Sequence, residues 1–131
     1  SNTDKKALQE GLQDGTIDAI CSHHEPLAKT AKQAPFAECK PGISNFDTFM
    51  GLACQLVKEG ILTPEQLVEK IALNPAKIAG IEASYHQTGG AVLVDPSLTW
   101  TVTKESMISQ GKNTPFINSE LTGKVEQVFF K

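Results

Sequence analysis

Side chains able to bind metals or carry protons are concentrated at the end of one short apolar run. His23, His24 and Glu25 follow one another directly. Imidazole and carboxylate groups bind zinc and transfer protons, but zinc sites usually take three or four protein ligands. Adjacent residues of an extended segment point to opposite sides, and the remaining histidine, His86, lies far along the chain. His23 is therefore a weak candidate metal ligand, and a structural role is favoured for the pair.

Three other polar residues nearby have reactive side chains. Cys21 could act as a nucleophile with an adjacent histidine as base, although a thiol in an apolar strand is more often an inert core residue. Cys39 lies in a loop without an apparent activating partner. Glu25 and Glu38 could form an acid–base pair, but nothing fixes their separation and solvated loop glutamates are commoner. The inert interpretation is favoured for each of them.

The composition indicates one ordinary globular domain. The chain has 131 residues, of which 40% are hydrophobic, and a net charge of −3. Mild acidity and scattered basic residues argue against a nucleic-acid or membrane-surface partner. No apolar run approaches the roughly 20 residues of a membrane span, and no secretory signal pattern is present. Three cysteines without C-x-x-C spacing favour reduced thiols and a cytoplasmic location.

The first part of the chain predicts a helix, a strand and a long loop. Apolar residues at helical spacing predict a helix over 4–13, which Gly15 ends. The β-branched, mostly apolar run 16–22 predicts a buried strand. A lone strand cannot satisfy its backbone groups, and no other predicted strand is near it in sequence. Residues 25–43, with three prolines and little periodicity, predict a long loop.

Helix signals follow the loop. Ser44 is the predicted N-cap of a helix that Gly60 ends. A capping box over 63–66, with proline at the first helical position, begins a second helix. Asn74-Pro75 is expected to break it, and one or two further turns end at Gly80. Phe46, Phe49 and Met50 at helical spacing, and Trp100 further on, are expected in the core, with a partner surface as the alternative.

After Gly90 the apolar period changes from helical to two. Asp95-Pro96 predicts a turn between the first two strands of this region, and 104–110 predicts a weak helix. The predicted strands are 91–94, 100–102 and 124–130, and the predicted loop is 111–116.

Five motifs, in order, resemble the C-terminal third of a dihydroorotase, a metal-dependent amidohydrolase. Any one of them is weak, but together they cover nearly the whole chain. They are EGLQDGTIDAI (10–20), APFAECKPGI (34–43), LTPEQLVEKIALNPAKIAGI (62–81), GGAVLVDPSLTWTV (89–102) and KNTPFINSELTGKV (112–125).

The resemblance implies an α/β fold. It implies the C-terminal remnant of a (β/α)₈ TIM-type barrel, consisting of the last strand and helices, followed by a small β domain. The corresponding division is 1–82 for the end of the barrel and 83–131 for the β domain. In such barrels the chemistry lies where the strands end at the C-terminal face.

The same resemblance implies a site that is not intact. The family's last strand ends in Thr-Asp-His-Ala-Pro-His, whose aspartate binds the zinc centre and transfers a proton, while the second histidine contacts the substrate carboxylate. His23 lies at the aspartate position and Leu27 at that histidine position. Pro41 and Gly42 match the loop whose backbone contacts the substrate ring. The alternative, that these two residues only shape the start of the next helix, is favoured because the substrate histidine is replaced by Leu27. The active family uses zinc; no metal or cofactor is expected for this chain.

Some members of this family have lost their metal ligands and are retained because they assemble with aspartate transcarbamoylase in pyrimidine synthesis. The changes at His23 and Leu27 fit that pattern, so a non-catalytic assembly partner is the expectation, with self-association as a further possibility. The alternatives are an active zinc-dependent cyclic amide hydrolase when the full chain is present, and a free-standing binding domain.

Overall fold

The computed structural model of the chain describes residues 1–81 and 90–130. Helices are combined with a two-stranded antiparallel sheet, so the predicted α/β class is confirmed. Within these residues no helix has the length and apolar character needed to cross a membrane. The elements are α1 (Asn2–Asp14), α2 (Phe46–Lys58), α3 (Pro64–Val68), α4 (Asn74–Ile78), β1 (Gly90–Thr101) and β2 (Glu120–Phe130), with 3₁₀ turns at Lys29–Lys32 and Phe36–Glu38 and a π-helical turn at Glu69–Leu73.

The helix predicted over 4–13 is confirmed as α1. Ser1 and Asp4 form a reciprocal capping box at its start. Gly15 ends it in the left-handed conformation with φ of 85°, which glycine adopts without steric cost.

The strand predicted over 16–22 does not form among the described residues, where this segment belongs to no sheet. Residues of the helical region bind its backbone instead. The Ile20 N–H donates to the Lys70 carbonyl at 2.9 Å, and the Lys70 ammonium donates to the Ile17 carbonyl. The Asn74 side chain donates to the Asp18 carbonyl at 2.9 Å. Side chains thus supply part of the hydrogen bonding that a neighbouring strand would give.

The predicted N-cap at Ser44 is also wrong. The cap position of α2 is Asn45, whose side chain makes no capping hydrogen bond. Ser44 is fully buried and its hydroxyl oxygen has no hydrogen-bond partner. Gly60, with φ of 71°, follows the end of α2 as predicted.

The capping box over 63–66 is confirmed at the start of α3. The predicted break at Asn74-Pro75 is wrong, because the chain stays helical from Pro64 to Ile78. A π-helical turn at Glu69–Leu73 precedes the proline. Such a turn changes the hydrogen-bond register, which allows a helix to continue past a residue without an N–H.

Strands β1 and β2 form one long ribbon in which Val92 pairs with Val128 and Trp100 with Leu121. The predicted strands 91–94 and 100–102 are a single strand, so the predicted turn at Asp95-Pro96 does not reverse the chain. The Asp95 carboxylate accepts hydrogen bonds from the backbone of Ser97 and Leu98, and the register shifts there. The helix predicted over 104–110 does not form; residues 104–106 make a turn.

Helix α2 lies between two apolar clusters. Ala53, Leu62 and Leu67 form the buried centre of one cluster, and Val102, Met107 and Leu121 form that of the other. The ribbon approaches α2 closely where glycines remove side-chain bulk: a Cβ on Gly51 would lie 3.0 Å from the Leu121 Cβ. The division at 82/83 falls on residues outside the described part and stays a prediction.

Candidate functional site

The segment His23–Leu27 and the end of the long loop lie side by side. His24 and Ile43 form a parallel β-bridge, and the Glu25 N–H donates to the Ile43 carbonyl at 2.8 Å. The structure therefore brings the predicted site residues Pro41 and Gly42 beside the segment that begins with His23.

His23 is exposed and has a positive φ of 44°. Its N–H donates to the sulfur of Cys21 at 3.4 Å. A positive φ is uncommon for a residue with a side chain, although histidine, asparagine and aspartate are the more tolerant types. The chain therefore turns at His23, and the backbone changes direction between residues 16–22 and His24.

The imidazole of His24 caps helix α2. Its Nδ1 lies 3.1 Å from the backbone nitrogen of Asn45 and 3.0 Å from that of Phe46, and accepts both N–H groups. The ring also packs against the Phe46 ring with centroids 5.7 Å apart. Since Nδ1 accepts, the ring is neutral and carries its proton on Nε2. The cap was not predicted from the sequence. Phe46 is exposed, so its expected place in the core is wrong and the alternative of an exposed position holds.

The donor set does not fit a zinc ion. Among residues 1–81 and 90–130 no three His, Cys, Asp or Glu side chains are grouped so that they could hold one metal. His24 uses Nδ1 for the helix cap, and His23 belongs to no such group of three among the described residues. Zinc centres need at least three protein ligands. His86 lies outside the described residues.

Glu25 is held by close packing against Gly42. A Cβ on Gly42 would lie 2.2 Å from the Glu25 Oε2 atom and 2.8 Å from its Cβ, and the φ of Gly42 is 103°. Only glycine meets both conditions at this position. Glu38 lies exposed in the second 3₁₀ turn. The inert interpretation of Glu25 and Glu38, favoured over an acid–base pair, stays a prediction.

Asn113, which the sequence placed in a featureless loop, binds both halves of the site. Its Oδ1 accepts the Leu27 N–H at 2.7 Å, and its Nδ2 donates to the carbonyls of Glu25 and Gly42 at 3.1 and 3.2 Å. Its own carbonyl accepts the Ser44 N–H at 3.1 Å. Asparagine in a segment with glycine and proline is an ordinary loop signal, so the local sequence contains no indication of this role.

A second contact joins the start of α2 to the loop before Asn113. The Asp47 carboxylate accepts hydrogen bonds from the Ser109 hydroxyl and from the Ile108 N–H at 2.7 Å. Partial burial opposes ionisation of Asp47, but these hydrogen bonds outweigh it and lower the pKa of the carboxyl group.

The three cysteines differ in exposure. Cys21 is exposed, so the expectation of a core thiol is wrong for it. It borders a small groove of about 170 Å³ that Phe49 and Leu56 of α2 also line. The Cys39 thiol is half-buried and donates to the Ala34 carbonyl at 3.0 Å. Cys54 is buried, and burial raises the pKa of its thiol.

Sequence comparison finds relatives along nearly the whole chain. A dihydroorotase of Syntrophus aciditrophicus is 42% identical over 128 residues, or 95% of the chain, and one of Geobacter metallireducens is 42% identical over 92% of it. A dihydroorotase-like protein of Pseudomonas aeruginosa is 38% identical over 95% of the chain. This chain is homologous to the dihydroorotases. It spans about 30% of the length of these curated relatives. No family model matches it.

Comparison with solved structures finds the same fold in part of other proteins. A D-hydantoinase structure matches 99% of the chain with a TM-score of 0.85 at 20% identity, and 30% of that structure is covered. An inactive dihydroorotase-like domain of a Chaetomium thermophilum CAD-like multifunctional protein matches 98% of the chain with a TM-score of 0.68 at 22% identity, and 34% of it is covered. At these identities the likeness describes the fold alone. The fold is that of a segment of these two structures.

Proposed function

We propose that the chain is the C-terminal part of a cytoplasmic dihydroorotase-like protein of de novo pyrimidine biosynthesis that has lost catalysis. In this proposal the protein serves as an assembly partner of aspartate transcarbamoylase. Homology to the dihydroorotases supports the family role, and the state of the candidate site supports the loss of catalysis.

The backbone of residues 16–22 supports the proposal that this part is the last strand of a (β/α)₈ barrel. The segment is neither helical nor paired with a described strand, and residues of the helical region bind it through the Ile17, Asp18 and Ile20 backbone groups. Barrel strands bond to a neighbour on each side. In the proposal the neighbouring strands come from the remainder of the longer protein.

His23 is the observation that carries the loss of catalysis. The proposed alignment with the family places it where an aspartate would take a proton from the catalytic water and return it to the leaving nitrogen. An exposed imidazole in a left-handed turn replaces that anion, and its neighbour His24 is used as a helix cap. Among the described residues His23 belongs to no group of three His, Cys, Asp or Glu side chains that could hold a metal.

Leu27 supports the same conclusion. Its N–H is bound by Asn113 at 2.7 Å, and its side chain has no group that can donate a hydrogen bond to a substrate carboxylate. The aligned histidine of the family would supply such a donor. Two positions with chemical roles have therefore changed, while the surrounding backbone contacts are complete.

Exposed apolar side chains support a role in assembly. Phe36 is 97% exposed and Ile108 is 90% exposed, and Phe46 near the start of α2 is also exposed. Large apolar side chains on a surface often mark contacts with another protein chain. The remainder of the longer protein, aspartate transcarbamoylase or a second copy would each cover them, and the proposal assigns part of this surface to aspartate transcarbamoylase.

The proposal is tested on the full-length protein. We expect no stoichiometric zinc by elemental analysis, no turnover of dihydroorotate or carbamoyl-aspartate in the presence of added zinc, and co-elution with aspartate transcarbamoylase in gel filtration. The His23→Asp, Leu27→His double variant is the matched test of the site. Zinc-dependent turnover by the unaltered protein that is lost in His23→Ala would contradict the proposal.

The second candidate is an active zinc-dependent dihydroorotase. The observation in its favour is that relatives at 42% identity are named dihydroorotase. In that case the remaining zinc ligands would come from outside this chain, and His23 would be an unusual ligand. Bound zinc at one or more ions per protein together with turnover would establish it.

A further inference from the structure

We infer that Asn113 is a positioning residue that closes the neck of the long loop and thereby sets the distance between the two halves of the candidate site. This part of the long loop comprises residues 28–41. The residues on either side of it, Leu27 and Gly42, form its neck. The inference concerns the geometry of this chain and does not depend on whether the protein is catalytic.

The loop makes hydrogen bonds within itself, including one from the Lys40 N–H to the Ala31 carbonyl at 3.2 Å, but it contributes little to the core. Its two 3₁₀ turns, Lys29–Lys32 and Phe36–Glu38, contain no buried residue. Within the loop the Lys32 ammonium donates to the Lys40 carbonyl at 2.5 Å, and it reaches the Gly42 carbonyl at 2.9 Å. A loop of this length whose ends are close together is an Ω-loop, and the contacts at its neck largely fix its placement.

Asn113 binds both sides of the neck at once. One side is the Leu27 N–H and the Glu25 carbonyl, and the other is the Gly42 carbonyl. The three bonds need one acceptor and two donor hydrogens on the same side chain, which an amide provides. Aspartate lacks the donors and alanine lacks both kinds of group.

The backbone around Asn113 is fitted to this position. A Cβ on Gly111 would lie 2.5 Å from the Leu27 nitrogen and 2.6 Å from the Pro26 carbonyl carbon. The segment Gly111–Asn113 therefore contacts Pro26–Leu27 backbone to backbone, and only glycine permits that approach. A segment that is distant in sequence thus determines the position of His23–Leu27 relative to Pro41–Gly42.

Limited digestion with trypsin tests the inference on the full-length protein, because Lys29 and Lys32 are exposed in the loop. We expect Asn113→Ala to raise the rate of cleavage after these lysines about tenfold, as loss of the neck contacts increases local opening. Cleavage after the exposed Lys104 serves as the internal reference and is expected to stay unchanged.

The Asn113→Asp variant distinguishes the hydrogen bond that the side chain accepts from the two that it donates. Its oxygen still accepts the Leu27 N–H, so hydrogen exchange of the Leu27 amide stays slow, whereas it exchanges rapidly in Asn113→Ala. The other oxygen faces the Glu25 and Gly42 carbonyls, so loop cleavage still rises. This variant also carries the test if Asn113→Ala does not fold.

Asn118→Gly is the matched control in the same region. Asn118 is exposed and has φ of 65°, which glycine adopts freely, so loop cleavage is expected to stay at the rate of the unaltered protein. Unchanged loop cleavage in both Asn113 variants would overturn the inference. An equal rise after Lys104 would also overturn it, because the effect would then be a general loss of stability.

Discussion

The Nδ1 atom of His24 lies 3.0 Å from the backbone nitrogen of Phe46, at the start of α2. A residue 22 positions earlier in the chain thus accepts the N–H groups that a serine or aspartate cap would bind locally. Because Nδ1 is used in this contact, His24 is not a candidate metal ligand. The contact also links the candidate site to the start of α2.

His24→Ala is expected to destabilise the protein by about 1 kcal/mol, the usual cost of losing a helix cap. Unfolding in urea measures the change. ¹⁵N chemical shifts of the ring in the unaltered protein are expected to show the proton on Nε2. His23→Asn is the control, because His23 is exposed and asparagine tolerates its positive φ; its effect is expected within about 0.5 kcal/mol. Equal losses in both variants would argue against the cap.

The helix starts show which features a sequence reveals. The capping box at Thr63 and Gln66 involves two residues three positions apart, and the sequence predicted it correctly. The cap of α2 depends on His24, far from the helix in sequence, so the local pattern indicated Ser44 instead. Ser44 is fully buried, and its position is set by Asn113 through a backbone hydrogen bond. A cap formed by neighbouring residues can be predicted from the sequence, whereas a cap supplied by a residue distant in sequence cannot.

The segment 16–22 shows the same limit for extended structure. Its β-branched residues predicted a strand, but strand pairing depends on what lies beside the segment. Lys70 and Asn74 bind its carbonyls, and the sequence of a helix does not predict such contacts with a distant segment. The candidate site follows the same rule: His23, Pro41 and Gly42 were identified from motifs, while Asn113 was found only from the fold.

Lys70→Met is expected to cost about 1–3 kcal/mol, because the Ile17 carbonyl loses its donor while the apolar stem is kept. Lys70 is 7% exposed, so water does not readily replace the ammonium group. Unfolding in urea measures the loss. Lys77→Met, at an exposed position of α4, is the control and is expected to change stability by less than about 0.5 kcal/mol. A loss as large in the control would refute the role of Lys70.

Asp47 makes the stability of the protein depend on pH in the acid range. Its pKa in the folded state is lowered, so the ionised carboxylate stabilises the fold at neutral pH. This contribution is fully present above the ordinary carboxyl pKa and is lost as the pH falls through the folded-state value. Asp47→Asn is expected to flatten the acid limb of a plot of unfolding free energy against pH.

The Ser109 hydroxyl is one source of that lowered pKa, since it donates to the Asp47 carboxylate. Ser109→Ala is expected to move the pKa of Asp47 upward toward its ordinary value, as measured by carboxyl ¹³C shifts in an NMR titration. An unchanged titration curve in Ser109→Ala would show that the backbone N–H groups alone set the pKa.

Gly123→Ala is expected to destabilise the protein by about 2–5 kcal/mol. The new Cβ would lie 2.6 Å from the Cys54 Cβ and Sγ atoms, and the φ of Gly123 is 103°. Gly15→Ala is the matched control, with φ of 85° and no atom within 4 Å of the new Cβ; it is expected to cost only the backbone term of about 1–2 kcal/mol. Similar losses in the two variants would mean that the ribbon moves away from α2 at little cost.

The thiols are expected to react with a disulfide reagent in an order set by exposure. Cys21 is exposed and reacts first, whereas Cys54 is buried and the raised pKa of its thiol reduces the thiolate fraction. Ellman's reagent under native conditions is expected to show one fast phase, which Cys21→Ser removes. Cys54 reacts only at the rate of local or global unfolding, so added urea accelerates it. A fast phase that persists in Cys21→Ser would show that Cys39 or Cys54 is more accessible than the packing of the loop and of α2 against the ribbon permits.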